Sequence, residues 1–134
     1  MNSNNVKLDM DNLKKLAPLC LGIGAGLGVL WSVGGIFGGL WSVVLLAAWA
    51  VSGGLYANTI LKSGSGGEYI NIAVNGAILA AISELVFDIL SSIIYAMRAG
   101  EIGSLISVST FLEAIIIGAI GAVAWYAYQT NQKK

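Results

Sequence analysis

Two carboxylates four residues apart, Glu84 and Asp88, stand in the middle of a hydrophobic run bounded by Glu68 and Arg98. An acid so placed does one of three things. It is neutral and hydrogen-bonded, gluing helices together; it holds a proton, a sodium ion or a cationic substrate; or it pairs with a basic side chain of another subunit. On a helix at about 100° per residue the two acids lie about 40° apart, and Ala73, Ala77, Ala80, Ser91 and Tyr95 fall within about 40° of Glu84. One small-and-polar stripe results, to which Ser91 and Tyr95 bring hydroxyls; Asn75 adds an amide to the same run. Glu113 stands near the centre of the next run, with Ser109 and Thr110 a turn before it. If the two runs are antiparallel, all three acids are expected to share one region.

The energetics give these acids weight. A charged acid at the centre of a membrane span costs about 2.5–3.5 kcal/mol, and each Leu, Ile, Val or Phe returns about 0.3–0.6 kcal/mol. Two acids with Asn71 and Asn75 therefore roughly cancel the aliphatic gain of their own span, which is expected to insert with help from its neighbours. Neutral, hydrogen-bonded acids are the expected default unless a cation is present.

The elements that must position these residues follow from composition. The 134-residue chain is 57% hydrophobic and 10% charged, against roughly 25% charged in soluble domains. Residues 16–61 carry no charged side chain. As helix they would extend about 70 Å, roughly twice the hydrocarbon thickness, so they make two spans joined by a turn. The glycines at 34, 35, 38 and 39 permit that reversal, and Trp31 and Trp41 on either side suit an interfacial belt. The whole chain reads as one all-α domain, residues 1–134: an integral membrane four-helix bundle with short loops and spans at about 16–33, 40–61, 69–97 and 104–128. Asp11 is the expected N-cap of the turn that leads to Lys14 and Lys15. These lysines precede an apolar run, as in a secretory leader, but Leu19 before Cys20 does not make a lipoprotein box, and the N-terminus is expected to be retained.

Gly22, Gly24, Gly26 and Gly28 form overlapping small-xxx-small pairs in span one, and Gly118 lies in span four. Such positions let helices approach closely. A phosphate loop is not expected, for want of a preceding strand and of a Lys-Ser/Thr partner. With no histidine and one cysteine, the chain offers no His- or Cys-based metal site, disulfide or catalytic dyad, and no cofactor, metal or enzymatic activity is expected. Zero net charge gives no sign of nucleic-acid binding.

Gly53-Gly54-Leu55-Tyr56, the Ser/Gly loop after it, and Asn75-Gly76-Ala77 resemble the Gly-rich small tetraspan membrane proteins of prokaryotes that are classed as domains of unknown function. The resemblance covers about a third of the chain and implies a four-helix membrane fold without naming an activity. The small multidrug exporters also have four helices and one intramembrane Glu, but theirs lies in the first helix, where this chain has none.

Two functions are compatible with these features: a non-catalytic, helix-packing subunit of a homo- or hetero-oligomeric membrane assembly, or a proton- or cation-coupled small transporter or channel using Glu84, Asp88 and Glu113. The expected location is the plasma membrane of a prokaryote. Four spans put Lys7, Lys14, Lys15, Lys62, Lys133 and Lys134 on one side and Arg98 on the other, so both termini are expected in the cytoplasm. Cysteines introduced at residues 3 and 65 are expected to be labelled from the cytoplasmic side, and those at 36 and 100 from the other. Labelling of 3 and 65 from opposite sides would rule out this topology.

Overall fold

The computed structural model describes residues 6–32, 38–64, 67–100 and 107–133. Residues 34–37 of the expected turn, Ser65 and Gly66, Glu101, the expected start of span four at residue 104, and both chain ends lie outside the described residues. The described residues form four helices, α1 (Met10–Ser32), α2 (Trp41–Lys62), α3 (Tyr69–Ala99) and α4 (Val108–Gln132), with a 3-10 turn at Gly38–Leu40 ahead of α2. All four are long and apolar enough to cross a membrane. The protein is an all-α, four-helix transmembrane bundle, with Leu19, Val29, Val43, Val51, Ile116 and Ile120 exposed on its outer surface.

Local chemistry sets the helix ends. The N-cap of α1 is Asp9, not Asp11: its Oδ1 accepts from the Asn12 backbone N–H at 3.2 Å, and its carbonyl accepts from Leu13 N at 2.9 Å. Because the cap comes early, α1 takes in Lys14 and Lys15, both exposed, and begins before residue 16. Ser107, extended at φ −93°, ψ 111°, caps α4, so that helix starts at Val108 rather than at 104. Gly100 ends α3 in the left-handed region at φ 74°, where its N–H reaches Ala96 O at 2.9 Å.

Contacts along α3 fix the directions. Asp9 N is bonded to Asn75, Ser83 to the Cys20 carbonyl, and Arg98 to the Ser32 carbonyl, so α1 runs parallel to α3. Trp49 meets Glu84, Ser52 meets Ser83, and Trp41 packs on Phe87, so α2 runs antiparallel. Ser107 meets Asp88, and Tyr69 stacks edge-on against Tyr126, so α4 is antiparallel too. The described helices therefore go up, down, up and down, with the start of α1 and the end of α4 at one end of the bundle. Helix α3 touches all three others, α4 packs on α2 and α3, and α1 lies on α3 with only slight contact to α2.

The helices are staggered. Helices α2 and α4 begin level with Phe87 and Asp88, while α1 and α3 run on to the Arg98–Ser32 bond, ten residues or about 15 Å further along α3. Trp31 and Trp41 thus belong to different depths rather than to one belt, because α1 ends well beyond the level at which α2 starts.

The N-terminal segment is tied down at the other end. Lys7 N donates to Asn71 Oδ1 at 2.8 Å, Asn75 Nδ2 donates to Lys7 O at 3.0 Å, and Asn75 Oδ1 accepts from Asp9 N at 2.9 Å. Tyr56 Oη donates to Asp9 Oδ2 at 3.1 Å. Burial works against the Asp9 charge, but hydrogen bonds from Asn12 and Tyr56 outweigh it and hold its carboxyl below the ordinary aspartate value.

Glycine sets how closely the helices approach. A Cβ at Gly53 would overlap the Gly118 carbonyl, one at Gly118 would overlap Ala80 Cβ, and one at Gly76 would overlap Ala122 Cβ. Gly121 lies against the Ala50 backbone in the same way. In α1, Gly24 meets the Ser83 carbonyl and Val86, and Gly28 meets Leu90, whereas Gly22 and Gly26 face open space. Residues two apart on a helix are about 200° apart, so the four glycines form two opposed pairs rather than one packing face. Gly53→Ala and Gly118→Ala are each expected to destabilise the bundle by about 1–3 kcal/mol, as overpacking does. Gly22→Ala is expected to leave stability unchanged or raised. Unfolding of the three variants in detergent micelles checks this.

Candidate functional site

Spacing on α3 brings Gly76, Ala80, Ser83, Glu84, Phe87 and Asp88 onto one buried face. Glu84 is fully buried, beside Trp49 at 2% exposure. Trp49 Nε1 donates to Glu84 Oε2 at 2.9 Å; among the described residues Glu84 Oε1 has no hydrogen-bond partner. One turn on, Asp88 is 8% exposed, and its Oδ2 accepts from the Ser107 backbone N–H at 3.0 Å. Because Ser107 caps α4, the Asp88 carboxylate lies at the positive end of that helix, a placement worth about 0.3–1 kcal/mol at an exposed site and more when partly buried. The two carboxyls stand one helical turn apart on the same buried face of α3.

Toward the other end, a hydroxyl pair adjoins Glu84. Ser52 Oγ and Ser83 Oγ are 2.9 Å apart; Ser52 Oγ also reaches Ala48 O at 2.8 Å, and Ser83 Oγ reaches Cys20 O at 3.1 Å. Each hydroxyl has one proton, so two of these three contacts are hydrogen bonds at any moment. The pair joins α1, α2 and α3 at one depth.

The structure brings Glu84 and Asp88 together and leaves the other sequence candidates elsewhere. Asn75 is fully buried, but its amide is spent on Lys7, Asp9 and Asn71, nine residues from Glu84. Ser91 Oγ donates to the Asp88 backbone carbonyl at 3.2 Å rather than to a carboxyl. Tyr95 is 44% exposed. Glu113 does not share the buried region: it is exposed on the outer face of α4, among Leu112, Ile116 and Ile120. The inner face of α4 is Ala114, Gly118 and Ala122, and Glu113 is turned about 100° away from Ala114. Among the described residues no three acids, cysteines or histidines are grouped to hold a metal ion.

Sequence reasoning missed Trp49, Ser52 and Ser107 as members of the site. Trp49 lay far from either end of its span, and an indole N–H in hydrocarbon requires an acceptor; that requirement was the available signal. It also missed a groove of about 620 Å³ on the outer side of α2 and α4, lined by Ala50, Gly54, Asn58, Gly121 and Trp125 among others.

Trp49→Phe removes the donor to Glu84 and is expected to lower unfolding stability by about 1–3 kcal/mol. Glu84→Leu in the same background is expected to recover part of that loss, since removing both partners of a buried hydrogen bond leaves nothing unpaired. Additive effects in the double-mutant cycle would show that the contact carries no stability. No family model, curated protein or solved structure matches the chain, and the chemistry of the site rests on its own residues.

Proposed function

We propose that this small polytopic membrane protein is a non-catalytic, helix-packing subunit of a larger membrane assembly. The observation that carries the reading is Glu113, an acid exposed on an otherwise apolar helix face. It lies in the second turn of α4, inside the stretch long and apolar enough to span. A carboxylate facing lipid there costs up to about 2.5–3.5 kcal/mol, falling toward the interface, and a donor on a covering helix removes that cost. Gly22 and Gly26 support the same reading: they form an outward small-xxx-small pair on α1 with open space above them. Two sides of the bundle are thus suited to helix contact, α1 through close approach and α4 through a polar anchor.

The reading is tested by purifying the full chain in mild detergent and measuring the mass of the complex. A complex larger than one chain is expected, with Glu113→Gln or Gly26→Leu weakening it while each variant keeps native helicity and melting behaviour. A monomer both in detergent and after reconstitution into bilayers would overturn the proposal.

A further inference from the structure

We infer that Glu84 and Asp88 hold one exchangeable proton between them, in a site entered from the end of the bundle where α4 begins. Glu84 Oε1 is a fully buried oxygen with no partner among the described residues, while Oε2 of the same carboxyl already accepts from Trp49. An ionised carboxylate only accepts hydrogen bonds, so two ionised acids one turn apart on a buried face repel and satisfy nothing. One proton resolves this. On Glu84 Oε1 it donates to the Asp88 carboxyl, the orphaned oxygen gains a partner, and the pair carries a single negative charge.

The surroundings decide which acid keeps the proton. Asp88 accepts the Ser107 N–H at the head of α4, where a negative charge is favoured. Glu84 has one neutral donor, the Trp49 indole, and packs where Trp49, Ala80 and Ala114 cluster. The proton therefore rests on Glu84 and the charge on Asp88. Among the described residues no basic group faces the pair. From α2 Trp49 meets Glu84 and from the head of α4 the Ser107 N–H meets Asp88; Ser52 of α2 and Cys20 of α1 adjoin Ser83 beside the pair, and the acid of α4, Glu113, lies on that helix's exposed face.

Access is one-sided. Glu84 has no exposed surface and Asp88 has 8%, so exchange runs through Asp88. In the other direction the Ser52–Ser83 pair is followed by Leu79, fully buried, and by the contacts of Gly53, Gly76 and Gly118. The site takes up and releases a proton without conducting it across the bundle in this conformation.

Infrared difference spectra of the full chain in lipid nanodiscs, recorded across pH, test this. One protonated carboxyl band per chain is expected at neutral pH, shifted in deuterium oxide, lost at alkaline pH and absent in Glu84→Gln. In Asp88→Asn the amide carbonyl still accepts from Glu84, no charge remains beside it, and the band is expected to persist to more alkaline pH. Trp49 provides a second readout: the emission component removed by Trp49→Phe is expected to change over the same pH range. The proposal is overturned if native protein and Glu84→Gln show the same carboxyl band. It is also overturned if sodium chloride at fixed pH, but not choline chloride, removes the band, since the site would then belong to a monovalent cation.

Discussion

Helices in hydrocarbon gain little by hiding apolar surface from one another, so what holds them is how closely they fit. In this bundle the fit depends on one place, where the backbones of α2, α3 and α4 meet at Gly53, Gly76 and Gly118 with no room for a Cβ. The other polar contacts follow from that spacing. With α2 drawn onto α3, the Trp49 indole reaches Glu84 and Ser52 reaches Ser83. With α4 drawn onto both, Ser107 comes within 3.0 Å of Asp88. A larger side chain at the junction would separate these partners and leave an acid in the interior without its donors.

The same dependence runs the other way. Span three carries two acids and two asparagines, enough to cancel most of its own insertion energy. These four groups are met by three different elements: Asn71 and Asn75 by the N-terminal segment, Glu84 by α2, and Asp88 by the head of α4. Helix α3 is therefore the least self-sufficient of the four and also the one that touches all the others. Its polar groups specify register along the bundle, because sliding any neighbour by a turn would strand at least one of them.

Much of the architecture was legible in the sequence. The charge-free stretch at 16–61 and the breaks near Lys62 and Arg98 determine four spans, since hydrophobic length leaves few alternatives. The Glu84–Asp88 pair was legible for the same reason, as spacing alone puts both acids on one face. Glu113 was misplaced because the midpoint of a span reports depth and says nothing of rotation; the phase of α4 is set by its small residues Ala114, Gly118 and Ala122 meeting α2 and α3. The start of α1 was missed because Asp9 and Asp11 are equally good caps locally. Tyr56 and Asn75, far away in sequence, select Asp9.

The stagger of α1 bears on the surrounding lipid. The helix begins level with Asn75, six residues or about 9 Å inside the start of α3, and carries Lys14 and Lys15 on its exposed side one turn later. A flat bilayer that covers α2 and α4 along their length would submerge both ammonium groups. Their stems can lie along α1 and carry the charges outward, and headgroup phosphates can move inward to meet them. Beside α1 the two lysines therefore mark a shallower apolar depth than α2 and α4 present.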